Sequence, residues 1–301
     1  MTLPKQVEII EVGPRDGLQN EPNILSTQLR VELIERLAKA GIQKIEAGSF
    51  VSPKWVPQMA GTDLVLDKLN ASSVKQQSGA KYAALTPNLK GLEGAIKHGA
   101  DEVAIFSAAS ESFTQKNINC SIEESLQRFD TIMAQAKKVN MPVRGYVSTV
   151  IGCPYEGDIA PKKVAQVASY LYEMGCYEIS LGDTIGVGTP LKFKNMLNEV
   201  MKKVPCHKLA VHCHNTYGQA LTNIYASLEL GINKIDSSVA GLGGCPYAKG
   251  ASGNIATEDV LFMLNGMDIT TNINLDEVIN IGHWICKALN RENQSKVGAA
   301  Y

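Results

Sequence analysis

A TIM (β/α)8 barrel is the fold class this sequence predicts, on three observations. Eight short apolar segments alternate with helical ones along the 301 residues. No glycine-rich dinucleotide fingerprint follows the first segment, which argues against an open, doubly wound sheet. Polar residues collect just after each strand, where such barrels keep their chemistry. The period runs on without a linker or low-complexity break, so residues 1–301 are read as one catalytic domain.

The elements follow in order. The first strand, 6–12 (QVEIIEV), leads into Gly13-Pro14-Arg15-Asp16-Gly17. Helical spacing of Leu29, Leu33, Ile34 and Leu37 over 26–40, under a Ser26 N-cap, predicts the first helix. Strands are expected at 44–47, 81–85, 102–106, 142–148, 178–181, 208–212 and 234–237. The clearest helices between them are 122–139 and 161–174. Gly99, Gly175 and Gly231 stand where helices should stop. Apolar spacing at 261–264 and 279–289 predicts the last barrel helix and additional C-terminal helices.

Composition narrows the function. Lys and Arg total 29 against 30 Asp and Glu, and no charged block stands out, so neither nucleic acid nor an anionic membrane is an expected partner. No apolar run reaches the length of a membrane span. Seven cysteines without CxxC spacing suit a reducing compartment, here read as the cytoplasm.

The chemistry is expected where the strands end. In Ala210-Val211-His212-Cys213-His214-Asn215 the period of two sends His212 and His214 to one side and Cys213 to the other. Strand one adds Arg15, Asp16 and Gln19, strand two Glu46 and Ser49, and strand six Asp183. Each alone is more often a loop residue capping the next helix; eight polar strand ends together are not. Asp16 with His212 and His214 offers one hard oxygen and two nitrogens, a set suited to Mg2+ or Mn2+. Zn2+ fits less well, since no thiolate is placed as a ligand. Five of the fourteen residues 241–254 are glycine, and Cys245 lies among them. Such a loop is expected to be mobile or to hold unusual backbone angles near a ligand, and its thiol to exchange protons. The other cysteines are read as packing residues.

Four motifs carry a resemblance. Residues 12–20 (VGPRDGLQN), 49–58 (SFVSPKWVPQ) and 180–189 (SLGDTIGVGT), with the Cys-bearing loop GLGGCPYAKGASGN at 241–254, resemble the 3-hydroxy-3-methylglutaryl-CoA lyase family of the DRE-TIM metallolyases. The likeness runs from about residue 7 to 296. It implies Mg2+- or Mn2+-dependent cleavage of an acyl-CoA substrate, (S)-3-hydroxy-3-methylglutaryl-CoA, to acetyl-CoA and acetoacetate, in leucine degradation or ketone-body formation. It makes Asp16, His212, His214 and Asn254 metal ligands, Arg15 a catalytic substrate contact and Cys245 a catalytic thiol. Glu46 and Asp183 become supporting active-site residues, and Gln19 and Ser49 join Arg15 in binding substrate. Asp16, His212 and Cys245 all stay open as the base. Homodimers or larger oligomers are the family habit. The chain departs from the pattern at Asn215, where Asp is expected in many relatives. It begins without an Arg-rich leader, which suits a cytosolic form. Another metal-dependent acyl-CoA or keto-acid aldolase of the same barrel group is the alternative. A catalytically silent metal-binding protein is a further one, but it predicts a missing ligand and none is missing. As a charge at the barrel mouth, Arg15 is expected to add little to stability.

Overall fold

In the computed structural model, which describes residues 3–244 and 253–301, eight parallel strands close into a barrel. They are β1 (Glu8–Glu11), β2 (Lys44–Ser49), β3 (Lys81–Leu85), β4 (Glu102–Ala108), β5 (Val143–Ser148), β6 (Glu178–Asp183), β7 (Leu209–Cys213) and β8 (Lys234–Ser237). Their spatial order is their chain order, and β1 closes the ring by pairing with both β8 and β2. Every expected strand is present. β2, β4 and β6 each run two residues further than the apolar pattern suggested. In β2 the register shifts between Glu46 and Gly48, a bulge that continues the strand past the point where strict alternation fails.

Helices cover the outside of the barrel. α1 (Thr27–Lys39) starts under Ser26, whose side chain accepts the Leu29 N–H, as the sequence predicts. The helix Ile122–Lys138 begins with a full capping box between Ser121 and Glu124. Gly99, Gly175 and Gly231 take φ of +70°, +109° and +89°, the left-handed conformation that ends their helices. The C-terminal part supplies the helices Thr257–Asn265, Leu275–Leu289 and Lys296–Ala300.

The apolar core lies between strands and helices, not inside the barrel. Ile45, Val103, Ile105, Val147, Ile179, Leu181, Val211 and Ile235 face outward into one continuous cluster with the helices. Inside the ring, among the described residues, Leu85, Ala104 and Tyr146 form a small apolar group, with Phe106 against them. Several other inward positions carry charge. Glu46, Arg144, Glu178 and Asp236 are all buried there. Barrels of this kind are usually filled by layers of branched aliphatic side chains. Taking ions out of water costs several kcal/mol each unless partners meet them. The ionic filling therefore asks what it holds in place.

Candidate active site

The first turn after β1 is a π-helix, Gly13–Gly17. The N–H groups of Arg15, Asp16 and Gly17 all turn back to the Val12 carbonyl, at 3.1, 2.7 and 3.2 Å. Single π-turns of this kind cluster at functional sites. Here the turn sets Arg15 and Asp16 side by side at the barrel mouth. Gly17 allows it to lie flat on the β8 loop: a Cβ there would meet the Leu242 Cβ at 2.7 Å and its carbonyl oxygen at 3.0 Å.

Across the mouth, β7 delivers the two imidazoles to one side, with ring centroids 5.2 Å apart. Cys213 is buried in the outer apolar cluster, as strand alternation requires. One ligand atom from each of Asp16, His212 and His214 lies within 4.8 Å of the others. Asn254 forms a bridge with His214 and donates its amide to Asp16 Oδ2 at 2.9 Å. Gln19 Nε2 donates to Asp16 Oδ1 at 3.1 Å.

The electrostatics suit a cation. Burial opposes ionisation of Asp16, but Arg15, His212 and His214 outweigh it and hold the carboxyl at about 2. Burial, followed by the neighbouring His212, pushes His214 down to about 4, so it is a neutral imidazole with a free lone pair at pH 7. Burial also disfavours charge on His212, yet its hydrogen bond to Asp236 and the Asp16 carboxylate hold it above its ordinary value. A dianionic or thiolate-rich pocket would look different. One carboxylate, two imidazoles and an amide form a donor set that fits a divalent metal ion.

Arg15 is only 6% exposed, which corrects the expectation that it adds little to stability. Its Nε and Nη2 donate to Glu46 Oε2 at 2.7 and 2.6 Å, and Nη1 to Asp16 Oδ1 at 2.6 Å. Burial opposes its charge, but Glu46 and Asp16 hold it above its ordinary range. Glu46 in turn accepts the Tyr146 hydroxyl at 2.9 Å.

Two expected residues have other work. Ser49 donates its hydroxyl to the Leu85 carbonyl and accepts the Val51 N–H, both at 3.3 Å. Those bonds fasten the ends of β2 and β3. Asp183 accepts the Gly188 N–H at 2.8 Å and shapes the loop after β6. Burial raises it to about 6 against the N–H groups of Gly188, Val187 and Gly186. Asn88 and Ser110 cap the next helices. Cys245 lies outside the described residues.

The residues that sequence reasoning missed lie beneath the mouth. Asp236, from β8, accepts from His212 Nδ1 at 3.3 Å, and it stands opposite His212 in the strand register. It supplies a carboxylate that orients the His212 ring. Asn215 instead caps the start of the next helix, accepting the Ala220 N–H at 3.3 Å. Arg144 was also missed. The available signal was a charge at alternate positions of apolar strands: Arg144 and Tyr146, Glu178 and Ser180, Lys234 and Asp236.

Fold and site together define a TIM barrel with a candidate divalent-metal centre, its arginine–aspartate turn facing a His-x-His strand end. The chain belongs to the HMGL-like family, whose model matches residues 6–285. It is 60% identical over 299 residues to the mitochondrial hydroxymethylglutaryl-CoA lyase of Homo sapiens, covering 99% of this chain and 90% of that one. The structure of hydroxymethylglutaryl-CoA lyase from Pseudomonas aeruginosa superposes with a TM-score of 0.96 at 53% identity, covering 100% and 98%. An HMG-CoA lyase from Acinetobacter baumannii, solved with coenzyme A and 3-methylmalate, matches with a TM-score of 0.92 at 34% identity, covering 100% and 96%.

Proposed function

We propose that this protein is a hydroxymethylglutaryl-CoA lyase, cleaving (S)-3-hydroxy-3-methylglutaryl-CoA to acetyl-CoA and acetoacetate. The observation that carries the reading is the Asp16–His212–His214 cluster with Arg15 clamped beside it, in a chain 60% identical to a named lyase over its length. Asp16, His212, His214 and Asn254 would hold Mg2+ or Mn2+, which when bound acidifies and orients the C3 hydroxyl.

The protein's own groups account for the rest. The C3 hydroxyl gives its proton to a base of the site, and the C2–C3 bond breaks. Its electron pair becomes the enolate of the acetyl-CoA thioester, and the C3 carbon becomes the ketone of acetoacetate. Arg15 cannot lose its proton, and Glu46 with Asp16 fixes its direction, so it presents an immobile positive charge to the enolate oxygen. Because that charge develops only as the bond breaks, Arg15 acts on the transition state more than on bound substrate. The enolate then takes a proton at C2, for which Cys245 is the proposed donor.

Residues 1–301 act as one catalytic unit in this reading. No helix of the described residues is long and apolar enough to cross a membrane. The six described cysteines are all free, which favours a reducing compartment such as the cytoplasm. A homodimer is the proposed assembly. The deciding experiment is coupled detection of acetoacetate from HMG-CoA with added Mg2+ and reductant. Equimolar acetyl-CoA and acetoacetate are expected; turnover of other 3-hydroxyacyl-CoAs with none of HMG-CoA would overturn the assignment.

A further inference from the structure

We propose that Arg144 is a positioning residue that sets both halves of the active site from one buried guanidinium. It orients the metal ligand His212 through Asp236, and Arg15 through Tyr146 and Glu46. The proposal rests on the lyase reading above for its rate measurements, but not for its metal-binding measurements.

The geometry is that of a fork with two arms. Arg144, on β5, is buried in the barrel interior. Its Nε donates to Glu178 Oε1 at 2.8 Å, which anchors the side chain on β6. Its Nη2 donates to Asp236 Oδ1 at 2.7 Å, and Nη1 to Asp236 Oδ2 at 3.1 Å. The same Nη1 donates to the Tyr146 hydroxyl oxygen at 2.6 Å.

Each arm has its polarity fixed, because a guanidinium only donates. The Tyr146 oxygen accepts from Arg144, so its one proton goes to Glu46 Oε1, 2.9 Å away. Glu46 then has its other oxygen committed to Arg15 Nε and Nη2. On the other arm, Asp236 is an acceptor only. It takes Arg144, the Ser180 hydroxyl at 2.7 Å and His212 Nδ1 at 3.3 Å. His212 must therefore carry its proton on Nδ1 and turn Nε2 toward Asp16, where the two atoms lie 4.0 Å apart. A lysine at 144 could keep the charge but not the fork, since an ammonium is a point donor on a flexible stem.

The two arms make separable predictions. Asp236→Asn should weaken Mn2+ binding about 10- to 100-fold, the usual effect of losing a carboxylate behind a ligating histidine. Its fall in kcat should be largest at limiting Mn2+ and partly recovered at saturating Mn2+. Tyr146→Phe keeps the ring and deletes only the link to Glu46. It should leave the Mn2+ affinity within about twofold and lower kcat by about tenfold or more, as for a misplaced oxyanion donor. Arg144→Lys should shift both readouts.

Mn2+ affinity is read by calorimetric titration without substrate, and kcat by acetoacetate release. If Tyr146→Phe weakens Mn2+ as much as Asp236→Asn does, the arms are not separate and the proposal falls. It falls equally if all three variants show lower melting temperatures with both readouts at wild type, the signature of packing alone. Should Arg144→Lys fail to fold, the two isosteric variants decide. Wild-type protein that binds Mn2+ but cleaves no HMG-CoA would sink the lyase reading and leave the Asp236 arm to be judged by affinity.

Discussion

At Arg15 function and stability meet in one side chain. Its guanidinium satisfies Glu46, and among the described residues Glu46 has only the Tyr146 hydroxyl besides. Arg15→Gln should lower kcat by at least about 100-fold, the scale of one lost oxyanion donor, with a smaller change in KM. It should also cost about 1–3 kcal/mol by leaving Glu46 under-satisfied. Thermal melts beside steady-state kinetics test both, and a normal kcat with raised KM would reduce Arg15 to a binding residue. Cys245→Ala tests the loop separately. As a proton donor it should lose about two to four orders of magnitude in kcat with an unchanged melting temperature. As packing it would do the reverse. At this scale the sequence was informative wherever chemistry followed strand parity: the His-x-His pair, its outward Cys213, and Asp16 opposite. For Asp236 and Arg144 it offered a buried charge but no partner, because a charged residue within a strand shows its partners only after the ring closes and brings β5, β7 and β8 around one axis.

At the level of elements, the π-turn and the start of the β8 loop are bolted together by buried acids. Glu11 Oε1 accepts the N–H groups of Gly13 and Val239 at 2.8 and 2.9 Å, and Oε2 accepts the Thr257 hydroxyl at 2.7 Å. Glu258 accepts the Ala240 N–H. Burial lifts Glu11 from 4.5 to about 7 and Glu258 from 4.5 to about 8, despite those hydrogen bonds. The folded chain thus keeps protons that the unfolded chain releases near 4.5, so this stability is full below that pH and fades as pH rises to about 8. Melting temperature should fall across that window, and Glu11→Gln, which mimics the protonated acid, should flatten part of the slope. A profile unchanged in Glu11→Gln would show that Glu11 is ionised throughout. The elements were largely legible: strand and helix positions followed from alternation, caps and glycine stops. The far ends of β2, β4 and β6 were not: in β2 a bulge hides continuation from a period-two pattern, and the π-turn leaves no periodic trace in five residues.

For the molecule as a whole, an ionic interior means that the barrel gives up stability that an aliphatic filling would supply. A bound cation should restore part of it. Mn2+ at about 100 times its Kd should add about 2.7 kcal/mol, visible as a rise of several degrees in melting temperature. Chelation should reverse the shift and abolish turnover, with Mg2+ or Mn2+ restoring it. Asp16→Asn should show neither shift nor turnover. Full activity in protein shown metal-free by elemental analysis would defeat the metal assignment.

The register between β7 and β8 also limits how this sequence can drift in length. His212 stands across from Asp236, one rung beyond Val211 and Ile235. Losing one residue inside β7 would reverse every side chain beyond it, driving an imidazole into the helix layer and a thiol into the barrel. Losing one from the short turn before β7, Cys206–Lys208, would leave that parity intact. Single-residue insertions and deletions should therefore be tolerated in the connections, while the strands bearing the imidazoles and Asp236 are held to a fixed count of residues.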